Sequence, residues 1–343
     1  MVVALPKNNE LKNSEILFIY EAKLTNPNGD PDEENRPRID PKTWRNLVTD
    51  VRLKRYVRDY IIHKFGEKYV WVSTVSGRNV PSDERGWSLI DQWKGDERVK
   101  GLSKKEPKEW LPLIPRFCID ARLFGATVAI RARGNGKGAS RNFIGPVQFT
   151  WGFSLHPVEL VESSTITSIF VGREPGEEER YGTMGKDWRL YYSLIAFYGV
   201  VSGRRGERTG LRDVDVKALD NIMWDAVRLE SITRSKIGQL PHLYMRVECN
   251  DSETLIGDLR RFVAVSYREP IRDVADIELD SSRLVSELEK IADRINAIYI
   301  RESGELIWSN CGTLAEALEK SDKLKDKVIR IPHEISLKDI LVA

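Results

Sequence analysis

The sequence predicts an α+β domain whose central sheet follows the order strand, helix, two strands, helix, strand, with insertions at two of the joins. Three observations predict it. An apolar run, Glu15 to Leu24 (EILFIYEAKL), begins to alternate towards its end as a strand does. Two stretches without a helix breaker, Trp44 to about Phe65 and Val214 to Ile232, carry apolar side chains at helical spacing. Hydrophilic, glycine- and proline-punctuated segments separate these elements. The composition supports a packed core: 41% of the 343 residues are hydrophobic, with 9 Trp, 11 Tyr and 10 Phe. That excludes a disordered chain.

Taken in order, the first strand is followed by TNPNGDPDEENRPRIDP (Thr25 to Pro41), where four prolines and an Asn-Gly pair forbid a helix. The first helix comes next. Trp71 to Pro115 holds four Trp with scattered Gly and Pro, and reads as an insertion with little regular core of its own. IDARLFGATVAI (Ile119 to Ile130), the loop RARGNGKGASRN (Arg131 to Asn142) and a strand over IGPVQFTWGFSL (Ile144 to Leu155) follow. A second insertion begins at Ile169, and apolar sequence returns at Trp188 to Val201. The second helix has Val216, Leu219, Met223, Ala226 and Val227 near one face, and LYMRVEC (Leu243 to Cys249) is a strand. A last helix is expected over Ser281 to Ile295, then short strands. This order is that of the ferredoxin-like (RRM-like) βαββαβ fold. The aromatic signature that lets such a sheet stack RNA bases is absent.

The charge balance, 54 basic against 52 acidic residues, leaves a polyanionic partner open, because clustering on one face decides that question. No apolar run approaches the roughly 18 residues of a membrane span, and Val2 to Leu5 is too short for an export signal. Cys118, Cys249 and Cys311 form no CxxC, as expected of free thiols in a reducing cytoplasm.

Two features are basic. On the first helix, Trp44, Leu47, Val48 and Val51 share one face, and Arg55 and Arg58 continue it with Lys54 beside them. Such a row can meet successive phosphates, or pair with nearby carboxylates. In the glycine-rich loop, Arg131, Arg133, Lys137 and Arg141 supply charge, and the glycines let backbone amides approach phosphate. It is no P-loop, since Lys137 is followed by Gly138 and Ala139. Asp30, Asp32 and Asp40 miss the calcium-loop order because Gly29 precedes the aspartates, so a turn held by Asn and Asp side chains is expected in place of a metal site. His63, His156, His242 and His333 stand apart, and no nucleophile elbow is present; neither catalysis nor a cofactor is expected.

NPNGDPDEENRPRIDP (Asn26 to Pro41), LVTDVRLKRYVRDYI (Leu47 to Ile61), DARLFGA (Asp120 to Ala126), IGPVQF (Ile144 to Phe149) and TMGK (Thr183 to Lys186) occur in this order. Together they resemble the Cas7 family of the RAMP superfamily, the backbone subunit of type I Cascade complexes, and most closely its I-B/I-C branch. The resemblance implies a right-hand shape: a palm over 14–70, 116–168 and 188–343, fingers over 71–115 and a thumb hairpin over 169–187. It implies copies stacked head to tail along CRISPR RNA, gripping its backbone while the guide pairs with target DNA. Other Cascade subunits are the remaining partners. By position it assigns RNA contact to Asn26, Asn28 and Gly29, to Thr49, Lys54 and Arg55, and to Thr183, Met184 and Lys186. Arg36, Arg38, Arg52, Arg58, Arg131, Arg133, Lys137 and Arg141 join this set on charge. A rival expectation comes from type III relatives that cut RNA, with Asp30 or Asp32 as the reactive carboxylate.

Overall fold

The computed structural model describes residues 11–100, 102, 107–130, 139–162, 165–167 and 184–332. Strand β1 (Ser14–Thr25) is the centre of an eight-stranded sheet. It pairs antiparallel with β2 (Leu190–Val201) and β3 (Gln239–Cys249). Beyond β3 lies β4 (Ile295–Glu302), then Val328–Arg330, which runs parallel to β4 and makes the sheet mixed. Beyond β2 lie Val147–Phe149 and Gly152–Ser154, and Leu47–Val48 closes that edge.

The unbroken apolar run of β1 has a simple cause: both faces of the sheet are covered. Successive strand side chains point to opposite faces. Ile16, Phe18 and Tyr20 meet helices α1 (Asp50–Phe65) and α2 (Asp213–Glu230), together with Ile195, Phe197 and Tyr244. Leu17 and Ile19, with Leu194, Leu243, Met245 and Val247, pack instead under C-terminal elements through Leu259, Leu284 and Leu314. Arg246, fully buried on β3, ties the sheet to α2 through Asp220 at 2.7 Å and also meets Glu248 at 3.1 Å.

Four expectations change. The first helix starts at Asp50, six residues beyond Trp44, because Thr49 caps it by accepting from the Arg52 amide at 3.2 Å. Trp44 has a positive φ of 56° and closes a turn on the Asp40 carbonyl, which is incompatible with a helix. Ile119–Phe124 is helical, and Gly125–Ile130 pairs with Ala139–Ile144 in a hairpin separate from the main sheet. Gly125 makes this hairpin possible: its φ is 82°, and a Cβ there would stand 2.2 Å from the Phe143 carbonyl oxygen. The 71–115 segment has a core of its own. Trp71, Leu89, Trp93, Trp110 and Ile114 bury one another, closed by Val128 and Phe143 of the hairpin. Trp71, Trp93 and Trp110 are the filling, with Trp87 packed against it, and Gly86 admits the Trp110 ring. The helix expected over Ser281 to Ile295 spans Ser282–Lys290, and a further helix, Leu314–Lys320, follows it.

His156 locks the edge of β2. Its Nε2 accepts from the Leu194 amide at 3.1 Å and its Nδ1–H donates to the Pro157 carbonyl at 2.7 Å. Burial lowers its pKa from 6.5 to about 4. The unfolded chain therefore binds more protons between these values, and stability is full above pH 6.5 and falls as pH drops towards 4. The expected loss is about 3 kcal/mol. Urea midpoints at pH 7 and pH 4.5 should diverge more in the wild type than in His156→Gln.

Candidate nucleic-acid interface

The helix cations turn inward. Lys54 is 8% exposed; its Nζ donates to Asp50 at 2.8 Å and to Gln148 at 3.1 Å. Arg58 is equally buried and donates to Asp120 at 2.9 Å. Asp120 also accepts the amides of Trp71 at 2.6 Å and Val72 at 3.1 Å, so this pair fastens α1 to the following segment. Lys54 and Arg58, both expected at RNA, are thus held in internal ties. Arg58 faces the buried Asp120, whereas Lys54 lies between Asp50 of its own helix and Gln148. Arg55 pairs with Asp59 at 2.8 Å but stays half exposed. An exposed pair of this kind is weak and yields readily to phosphate.

The loop after β1 shapes itself with its own polar groups. Asn26 is buried; its amide donates to the Ser235 carbonyl at 2.9 Å and its Nδ2 to the Asn35 carbonyl at 2.7 Å. Asn28 Oδ1 accepts both the amide and the hydroxyl of Thr49, at 2.8 and 2.9 Å. Asn28 and Thr49, both expected at RNA, therefore join the loop to the start of α1. Gly29 is required by contact, since a Cβ there would lie 2.6 Å from the Asn35 carbonyl oxygen. Asp30 pairs with Arg38 at 2.6 Å, and Arg38 lies 6.0 Å from the exposed Trp151 ring.

Residues absent from the sequence-based set complete the surface. The turn between α2 and β3 is fastened onto this loop: Thr25 Oγ1 donates to the Ser235 carbonyl at 2.6 Å, and Lys236 Nζ to the Asn26 carbonyl at 2.5 Å. Gly238, with φ of 104°, lets the turn lie against Lys23. Gln239 Nε2 donates to the Lys236 carbonyl at 2.9 Å and its Oε1 accepts from the Tyr56 hydroxyl at 3.1 Å. The Arg52 guanidinium stacks 4.0 Å from the Tyr56 ring. Arg189 donates to the carbonyls of Leu24 and Arg234, and both arginines reach Asp187. Arg36 and Lys186 share the Trp188 ring, at 5.5 and 5.8 Å.

Four cations on these converging segments, Arg36, Arg52, Lys186 and Lys236, form no ion pair among the described residues, unlike Lys54, Arg55 and Arg58. Burial first, and the neighbouring Arg52 charge second, push the Lys236 pKa from 10.5 to about 7. Gathered like charges without a counter-charge suit a polyanion. Met184 lies on the strand Met184–Lys186, paired with Thr165–Thr167, and Arg141 belongs to the separate hairpin, over Phe143. Arg131, Arg133, Lys137 and Thr183 lie outside the described residues. Among the described residues no three His, Cys, Asp or Glu side chains gather as metal ligands do, and no helix is long and apolar enough to cross a membrane. Lys236, Arg189, Arg234 and Trp188 were missed because they are far from the first helix in sequence. TRSKIG (Thr233 to Gly238), a cationic turn between helix and strand, was the available signal.

The family model for CRISPR-associated protein Cas7 matches residues 12–282. A CRISPR-associated protein Cas7 from Haloferax volcanii is 33% identical over 96% of this chain and 97% of its own length. A chain from a solved structure titled "CRISPR RNA-guided surveillance complex, pre-nicking" shares the fold, with a TM-score of 0.50 and 15% identity, covering 96% of this chain and 98% of that one. With the matched segment embracing β1, both sheet-covering helices, β3 and every free cation of the interface, the chain belongs to the Cas7 family.

Proposed function

We propose that this chain is the non-catalytic backbone subunit of a type I Cascade surveillance complex, copies of which line up along CRISPR RNA and present it to target DNA. The observation that carries the reading is the convergence of Arg36, Arg52, Lys186 and Lys236, free of carboxylate partners among the described residues, in a member of this family. Phosphate contacts of this kind hold RNA of any sequence and leave base edges free for pairing. The covered sheet supports backbone gripping over base stacking, because neither face is open to a base.

The order β3, β1, β2 and short edge strands, with α1 and α2 on one face, supports a ferredoxin-like palm. The separate core of 71–115 suits fingers, and the Thr165–Thr167 and Met184–Lys186 pair suits the base of a thumb over 169–187. A head-to-tail filament and further Cascade subunits complete the proposal.

Purification from the native host tests it. RNA of uniform length carrying a repeat-derived tag is expected in the extract; random RNA or none would overturn the reading. The non-catalytic part has its own test. Asp30 is held by Arg38, which disfavours a role for its carboxylate in cutting RNA. The assembled complex given magnesium and matched RNA should leave the RNA intact. Periodic cuts that vanish in Asp30→Ala would establish a nuclease instead.

A further inference from the structure

We propose that Lys236 and Arg52 form the two walls of a single-phosphodiester site on the palm, and that Lys236 is retained for this ligand at the expense of fold stability. The inference rests on the RNA-binding reading above and deepens it at two of its four cations. The geometry is built rather than incidental. Lys236 Nζ is fixed on the Asn26 carbonyl at 2.5 Å, and the Lys236 backbone is fixed by Gln239, which Tyr56 holds in turn. Arg52 is fixed from the other side by stacking on that same tyrosine, 4.0 Å away, and its Nε is buried without a hydrogen-bond partner. One aromatic ring thus indirectly positions both cations.

A purely structural lysine would be expected to have a carboxylate opposite it. None faces Lys236. The charged groups around it are Arg52 on α1, and Arg189, Arg234 and Asp187 across the neighbouring turn, the last three already engaged with one another. The loop after β1 offers it only a neutral carbonyl. Two cations in a partly buried setting repel, and one anionic oxygen pair between them would remove the repulsion and satisfy the guanidinium. The depressed pKa of Lys236, about 7, is the same imbalance seen from the proton side. A bound phosphate restores the ammonium, so RNA binding takes up a proton above neutral pH, and affinity falls as pH rises through that range.

The full-length chain and its Lys236→Met and Lys236→Arg variants are compared by thermal melting and by anisotropy of fluorescein-labelled unstructured single-stranded RNA at several KCl concentrations. Lys236→Met is expected to melt above the wild type at pH 7, while binding RNA about tenfold more weakly. Its slope of log affinity against log salt should be shallower by about 0.7, the value for one lost phosphate contact on a single strand. Lys236→Arg should bind as the wild type does at neutral pH and lose the decline in affinity between about pH 6.5 and pH 8.5. If Lys236→Met melts lower than the wild type, or binds RNA equally well, the lysine is a structural tie and the inference fails alone. A wild-type chain that binds no RNA would overturn the underlying reading as well.

Discussion

Asp120→Ala is expected to destabilise the protein by about 3–5 kcal/mol, because it leaves a buried guanidinium without its counter-charge. Asp120 is completely buried and serves three donors at once: Arg58 Nε at 2.9 Å and the amides of Trp71 and Val72 at 2.6 and 3.1 Å. Those amides begin the segment whose tryptophan core packs beside α1. Urea unfolding followed by tryptophan fluorescence measures the loss. Arg58→Ala should also unfold more easily, yet its folded molecules should bind RNA with wild-type affinity. Wild-type stability combined with weakened RNA binding in Arg58→Ala would return this arginine to the RNA-contacting set.

The Arg36→Ala, Lys186→Ala double variant is expected to lose RNA affinity by well over tenfold while its melting temperature stays within a few degrees of wild type. Both side chains lie on the Trp188 ring without an ion pair among the described residues, so little of the described fold depends on them. Each charge-assisted contact to phosphate contributes of order 1.5–3 kcal/mol, and either loss alone gives about tenfold or more. The two share one aromatic support, so their effects are not expected to add. Lys54→Ala offers the contrast. It should chiefly lower stability, since Lys54 is tied to Asp50 and Gln148. Equal affinity of the Arg36, Lys186 double variant and the wild type would remove the Trp188 cluster from the interface.

The sequence made the long elements legible because their periodicity reports burial directly. β1, α1 and α2 are apolar where the sheet and its covering helices meet. It misplaced the start of α1 because Trp44 to Val48 contains no helix breaker; what stops the helix is the Thr49 cap and the turn on Asp40. Scattered Trp, Gly and Pro over 71–115 suggested a poor core, whereas three indole rings fill one without regular spacing. The cations were legible as charges only. Whether a lysine faces a carboxylate depends on residues far along the chain, as with Arg58 and Asp120, or with Lys236 on the carbonyl of Asn26. That Asn28 and Thr49 bond each other was likewise not legible, because they lie on different elements.

The salt dependence of single-stranded RNA binding tests the central claim most directly. A variant lacking the charges of Arg36, Arg52, Lys186 and Lys236 together should flatten the slope of log affinity against log salt by about 3, four contacts at roughly 0.7 each. A slope unchanged from the wild type would show that the backbone is gripped elsewhere.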